Sequence, residues 1–413
     1  MKRIGTTTLA FVLACLVILA YLFFRPGASF APAKMNRIFH PDERVEHHRG
    51  MDKVFPSRPI AASSTPFKFE TAKADLPGTY EFNGEQRKIT DFFQKSTTTS
   101  LVVLRQGKLE SESYFTGATA ESRFTSWSIA KSLVATLIGM SVHAGKIASL
   151  DDKASKYVPE LSGKAYGDAS LRSLLQMASG VRFNEDYVDK LSDINKLFFK
   201  VFIFGQGVNE SIANHPFEVA PGTRFSYVSA DTQVLSWVLR KAHGKPVAEI
   251  AQEYIWQPLG MEASAYWSVD RSIDSDADRV AASELGYCCL NATARDYAKL
   301  GQLYLQDGQW QGKRLLPEGW VRQVSRPSAA WQEPGYLDPK SPSGRNDTRG
   351  YGMHFWVPKG YDGEYFANGV WGQSIWVSEK PGVVIVRTAV DPEYRANLSE
   401  MFAVMRAIAG KKP

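Results

Sequence analysis

Ser128 and Lys131 stand three residues apart in the stretch Ser128-Ile129-Ala130-Lys131. A serine hydroxyl is a weak nucleophile until a neighbouring base takes its proton. A lysine can be that base only when burial or nearby positive charge lowers its pKa. Three residues along a helix put both side chains on one face. A serine at a helix start also lies beside free N–H groups that favour developing negative charge. Ser128 is the only serine in the chain with a lysine three residues later. It opens a run, Trp127 to Ala144, with apolar residues at helical spacing (Leu133, Leu137, Met140) and Gly145 as a stop signal. Lys131 thus projects from a strongly apolar helix, where a lysine is out of place unless it has a task. The bland alternative is an ordinary helix with a partly exposed lysine.

Two further stretches can serve the same chemistry. Tyr227-Val228-Ser229 follows Pro221-Gly222-Thr223-Arg224-Phe225-Ser226. A tyrosine hydroxyl near a lysine relays a proton between nucleophile and leaving group. Tyr-x-Ser recurs at Tyr266-Trp267-Ser268, but the Pro-Gly turn presents Tyr227 at a lobe boundary. Gly369-Val370-Trp371-Gly372-Gln373 leads into a strand at Ser374. Glycine at a strand edge lets substrate approach the backbone, and backbone N–H groups there can hold an oxyanion. A packed loop aromatic and a simple turn are the bland readings of these two stretches.

Other chemistries find no support. There is no G-x-S-x-G elbow, H-E-x-x-H, phosphate loop or dinucleotide fingerprint. His40, His47 and His48 cluster near the N-terminus, and His143, His215, His243 and His354 show no paired spacing. The cysteines are Cys15, Cys288 and Cys289, without metal-ligand spacing. We expect two free buried thiols at 288 and 289, a vicinal bridge being open to them outside the cytoplasm. The net charge of +6, from 49 basic and 43 acidic residues, forms no stripe, which speaks against nucleic-acid binding. No metal or cofactor is implied.

The elements that must position these residues are legible in outline. Residues from Ser100 to Phe115 read as two strands joined at Gln106-Gly107. The middle, about 150 to 310, reads as mostly helical. Ser374 to Ser378 and Val383 to Val390 read as strands around a turn at Gly382, and Ala396 to Ala409 as a closing helix. The expected fold is α/β of the α+β type. An antiparallel sheet from both termini is flanked by helices, with a mostly helical lobe inserted. With 44% hydrophobic and 22% charged residues, a packed core is expected.

At the N-terminus, Met1-Lys2-Arg3 precedes an apolar run from Ile4 to Phe24, about long enough to span a bilayer. Ala31-Pro32-Ala33 resembles a cleavage site but lies well past the run, so an uncleaved anchor is expected. Lys2 and Arg3 would stay inside, leaving the rest outside the cytoplasm. The expected division is an anchor over 1–25, a tether and irregular arm over 26–75, and a catalytic domain over 76–413.

Taken in order, the three stretches resemble the serine β-lactamase and penicillin-binding protein superfamily. The resemblance is nearer to its class C-like branch, which holds esterases, D-amino-acid peptidases and 6-aminohexanoate-dimer hydrolases. It extends from about 95 to 410 and includes Leu175–Phe183, Thr293–Gly301 and Gly308–Trp320. It implies Ser128 as the acylated nucleophile, Lys131 as its base, and Tyr227 as proton relay with Ser229 as polar partner. It also implies an oxyanion hole from the backbone N–H groups of Ser128 and Gln373. Tyr187, in Asn184-Glu185-Asp186-Tyr187, resembles a pocket tyrosine of the dimer-hydrolase subgroup. Trp371 and Gly372 stand where substrate would bind. The third motif departs from the pattern: Val370-Trp371-Gly372 replaces a lysine or histidine that helps hold a substrate carboxylate. That puts β-lactamase and D-Ala-D-Ala activity in doubt and leaves acyl transfer intact. The expected activity is hydrolysis of small esters or amides. The rivals are a D,D-peptidase or weak β-lactamase, a non-catalytic ligand-binding relative, and a membrane-tethered sensor that acylates without turnover.

Overall fold

The computed structural model of the chain describes residues 6–24, 37–202, 204–336 and 349–410. In chain order, helices Thr6–Phe24 (α1) and Arg44–Arg49 (α2) precede strands Ser57–Ile60 (β1), Thr98–Arg105 (β2), Lys108–Tyr114 (β3) and Phe124–Thr125 (β4). Helices Ile129–His143 (α3), Asp193–Phe202 (α4) and Ser229–His243 (α5) follow, then strands Ala265–Ser268 (β5) and Leu290–Ala292 (β6) and helix Ala294–Leu305 (α6). The chain closes with strands Arg349–Tyr351 (β7), Trp356–Pro358 (β8), Glu364–Gly369 (β9), Gln373–Ser378 (β10) and Val383–Ala389 (β11), and helix Leu398–Ala409 (α7).

The main sheet is antiparallel, in the order β7-β8-β9-β10-β11-β2-β3. The C-terminal strand β11 pairs with the N-terminal β2, Ile385 opposite Val103, so the sheet is built from both ends of the chain as expected. The β2–β3 turn falls at Gln106-Gly107, both at positive φ (50° and 74°), which suits a tight two-residue hairpin. β2 is buried almost throughout because both faces of the sheet are covered. Leu101 and Val103 pack with Met401, Phe402 and Met405 of α7, while Val102 and Leu104 point to the opposite layer with α3 and α6. In α3 every residue from Ile129 to Ser141 is buried, so this helix runs through the interior rather than along the surface. A second, small sheet in the order β1-β5-β6-β4 leads directly into the loop before α3.

Two expectations need correction. Residues 37–60 are not a tether: β1 is paired along its length with β5, and Ile38, Met51, Val54, Phe55 and Ile60 belong to the main core. Their apolar side chains, spaced among charges, are what docks them. Cys288 and Cys289 are bridged rather than free. Adjacent side chains of an extended chain point apart, but Cys289 has φ 71°, which folds the backbone so that both sulfurs meet. Among the described residues no helix is long and apolar enough to cross a membrane; side chains of α1 are described over 7–21 only. Ala31-Pro32-Ala33 lies outside the described residues.

Candidate active site

Ser128 is the residue immediately before α3, and it does not use its side chain to cap the helix. A serine there ordinarily spends its oxygen on a helix N–H. Here the Oγ is left to Lys131, whose Nζ donates to it at 3.0 Å and to the Tyr287 carbonyl at 3.0 Å. Trp127, just before, sits at φ 43°, a costly conformation for an aromatic residue and of the kind that gathers at active sites. Lys131 is 2% exposed. Burial lowers its pKa to about 8, with Glu185 pulling the other way. A neutral amine is therefore accessible close to neutral pH, one turn from a serine hydroxyl.

Tyr227 lies beside this pair, its ring 5.0 Å from Lys131 Nζ and stacked on Trp356 at 5.5 Å. Burial pushes the phenol up, opposed by its interaction with the Ser128 hydroxyl, so it stays protonated and able to donate. The Tyr227 loop is pinned by Ser226 N–H donating to the Met177 carbonyl and Gly222 N–H donating to that of Ala178.

Ser229 starts α5 and is held by a residue that the sequence motifs did not single out. The buried Glu185 carboxylate accepts from Ser229 N–H (3.0 Å), Ser229 Oγ (2.5 Å) and Tyr187 Oη (2.8 Å). Glu185 thus ties the Tyr227 loop, Tyr187 and the charge balance of Lys131 to one carboxylate. Its signal was present in Asn184-Glu185-Asp186-Tyr187, but pattern alone does not reveal which acid of such a run is buried.

The turn after β9 comes close to the loop that carries Ser128. A Cβ on Gly369 would stand 2.5 Å from the Ser126 carbonyl, so only glycine allows the strand end to lie against the Ser128 loop. Gln373 turns its side chain away: Nε2 donates to the Ala389 carbonyl at 2.5 Å and Oε1 accepts from Ala389 N–H at 3.2 Å. Its backbone pairs with Gly369 at the β9–β10 turn, and Gln373 is not among the residues lining the cavity over Ser128. Gly372 does not line the cavity; its carbonyl accepts from Arg387 Nη1 at 3.0 Å.

A cavity of about 740 Å³ opens over Ser128, Lys131 and Ser229. Its walls include Tyr187, Trp127 and Trp371, with Phe198 and Phe199 from α4. Phe39 of the N-terminal arm completes one side, its ring 6.4 Å from Trp371. His48 wedges between Trp127 (5.5 Å) and Trp371 (5.4 Å), its Nε2 bonded to the Ile38 carbonyl. Burial lowers that imidazole to about 4, so the wedge is uncharged near neutral pH. The arm, the tryptophan before Ser128 and the β9–β10 turn are thereby one packed unit.

This serine–lysine–tyrosine constellation sits in a fold shared with known proteins. A 6-aminohexanoate-dimer hydrolase of Paenarthrobacter ureafaciens is 27% identical over 307 residues, covering 73% of this chain and 74% of that protein. A structure described as a candidate 6-aminohexanoate-dimer hydrolase from Bacillus anthracis superposes with a TM-score of 0.77 at 23% identity, over 91% of this chain and 97% of that one. EstCE1, described as a hydrolase with promiscuous acyltransferase activity, gives 0.58 at 16% identity, over 78% and 96%. The family model Beta-lactamase matches residues 86–399, most of the chain, and this protein belongs to that family of serine hydrolases.

Proposed function

We propose that this chain hydrolyses short linear esters or amides through an acyl-enzyme on Ser128. The observation that carries the reading is the 3.0 Å contact between Lys131 Nζ and Ser128 Oγ, with the lysine buried and its pKa lowered to about 8. Neutral Lys131 takes the Ser128 proton as Oγ attacks the substrate carbonyl carbon. The carbonyl electron pair moves onto oxygen, facing the backbone N–H groups of Ser128 and Gln373 and the positive end of α3. Collapse of this intermediate breaks the C–O or C–N bond, and Tyr227 passes a proton to the departing oxygen or nitrogen. Water then attacks the Ser128 ester by the same route in reverse, releasing the acid and restoring the hydroxyl.

The relative named for an aminohexanoate dimer and the aromatic cavity both favour a slender, unbranched amide of ω-amino-acid type. The D,D-peptidase reading has less support, because Val370-Trp371-Gly372 offers no cation at the third motif. The full-length chain and Ser128→Ala would be compared on 4-nitrophenyl butyrate, with mass spectrometry after a fluorophosphonate probe. We expect turnover and an adduct on Ser128, both lost in the variant. An intact, folded protein without adduct or turnover would favour a ligand-binding relative. Opening of a β-lactam with release of product would favour the peptidase branch, and an adduct without release would favour a sensor.

We also propose that α1 anchors the chain, with the catalytic domain outside the cytoplasm. Leu9, Phe11, Leu13 and Val17 are exposed on this helix, and Lys2 and Arg3 precede it. The Cys288–Cys289 bridge suits an oxidising compartment.

A further inference from the structure

The segment from Tyr287 to Leu290 reaches both halves of the Ser128–Lys131 pair, and the Cys288–Cys289 bridge sits at its centre. At one end the Tyr287 carbonyl accepts from Lys131 Nζ at 3.0 Å. At the other, Leu290 N–H donates to Ser126 Oγ at 3.1 Å, and the Leu290 carbonyl accepts from Ser126 N–H at 2.6 Å, just ahead of Ser128. Between these ends the carbonyls of Cys288 and Cys289 are taken by Trp267 Nε1 (3.0 Å) and Ser268 N–H (3.1 Å) of β5. Cys288 is only 4% exposed, yet it lines the cavity over Ser128.

The backbone here is not one that cysteine favours. Cys289 has φ 71°, in the left-handed region that residues other than glycine enter at a cost. A bond between neighbouring side chains closes a small ring over the peptide that joins them. That ring blocks the rotations by which the segment could leave this conformation. Opening it frees both side chains and lets Cys289 relax toward negative φ. Peptide units are rigid planes, so such a rotation turns the groups on either side of it. Those groups include the acceptor of Lys131 and the anchor of the loop that carries Ser128.

We propose that the Cys288–Cys289 bridge is a positioning element for Lys131, and that a dithiol entering through the cavity slows the enzyme by opening it. The proposal rests on the hydrolase reading and adds a redox condition to it. In the exchange, a thiolate of the dithiol attacks Cys288 Sγ and the S–S bond breaks, giving a mixed disulfide and a Cys289 thiol. The second thiol of the reagent then displaces Cys288 and closes its own ring. The protein gains two hydrogens and the dithiol loses two. The effect on acylation passes through the Tyr287 carbonyl and the Ser126 contacts.

The test compares full-length protein as isolated, after dithiothreitol and desalting, and after reoxidation of that sample with diamide. Intact mass follows the opening and closing of the bridge. We expect the rate on 4-nitrophenyl butyrate, and the rate of fluorophosphonate labelling of Ser128, to fall by about tenfold on reduction and to return on reoxidation. The midpoint of the pH–rate profile should move down, because Lys131 loses an acceptor that favours its ammonium form. Cys288→Ser with Cys289→Ser should behave as reduced protein throughout. Cys288→Ser with Cys289→Gly should recover part of the rate, since glycine holds φ 71° without a bridge. An opened bridge with unchanged rate and midpoint overturns the proposal, as does a loss that neither reoxidation nor the glycine variant restores. A bridge that dithiothreitol does not open in the folded protein overturns the redox condition, and the two double variants then decide the positioning role. In protein carrying isotope-labelled lysine, with Lys131 assigned by Lys131→Met, the NMR titration of Lys131 reads the bridge without turnover. A lower midpoint after reduction supports the proposal, and an unmoved one overturns it. If Ser128 never forms an adduct but that midpoint moves, the hydrolase reading fails and the positioning of Lys131 stands. If the adduct forms equally fast in both states and the midpoint does not move, the reverse holds.

Discussion

Glu185→Gln should separate two roles that one carboxylate performs. Three donors converge on its two oxygens: Ser229 N–H on Oε2, and Ser229 Oγ and Tyr187 Oη on Oε1. A glutamine has one oxygen, so at least one donor faces an NH2 group. An unsatisfied buried donor costs about 1–3 kcal/mol, which would lower Tm by a few degrees in a chain of this size. The charge effect is distinct. Glu185 holds the Lys131 pKa up against burial, so its neutralisation must move that pKa further down from about 8. In the wild type, kcat/KM should rise with pH and level off above about 8, running at about a tenth of its plateau one unit lower. In Glu185→Gln the midpoint should shift to lower pH, while the plateau falls because the Tyr227 loop is less firmly held. Initial rates on 4-nitrophenyl butyrate between pH 5 and 10, with Tm at each pH, give both readouts. A midpoint that stays put or moves upward would refute the electrostatic account of Lys131, whatever happens to the plateau.

Two other outcomes follow from the same structure. Lys131→Met should abolish acylation of Ser128 yet raise Tm at neutral pH, since a buried ammonium with a pKa near 8 instead of 10.5 costs about 3 kcal/mol. The sign fixes the window: below about 8 the wild type carries the full penalty, which fades as pH rises from about 8 to 10.5. The gain should therefore shrink over that range, and a variant less stable at pH 7 and no better at pH 10 would show that the two hydrogen bonds of Lys131 outweigh its desolvation. For the anchor, full-length protein should stay with membranes through an alkaline carbonate wash and be digested by protease added to cells stripped of any outer membrane, in keeping with a periplasmic or extracellular catalytic domain. Release by the wash, or protection from the protease, would remove the proposed location.

Much of the fold was legible because it rests on local signals. The Gln106-Gly107 hairpin, the apolar run after Ser128 and the strands around Gly382 each follow from turn chemistry and periodicity. The contact between Ser128 and Lys131 was legible because helical spacing fixes which side chains share a face. What the sequence could not show depends on long-range contacts. Glu185 becomes important only when the 181–187 segment meets the start of α5. Residues 37–60 looked like a tether because their apolar positions are few and irregular, yet those few dock into a core assembled from residues hundreds of positions away. The bridge between Cys288 and Cys289 depends on a backbone angle that adjacent cysteines do not themselves dictate.

The docking of the arm changes where the working enzyme begins. Phe39 forms part of the cavity wall and His48 braces the tryptophan ahead of Ser128, but the region recognised as the family starts at residue 86. Part of the cavity wall thus lies outside the segment that the family model matches. Substitutions in the arm can reshape what the cavity admits while every motif residue remains in place. A truncation cut at the family boundary would remove β1 and the core residues of the arm together with that wall.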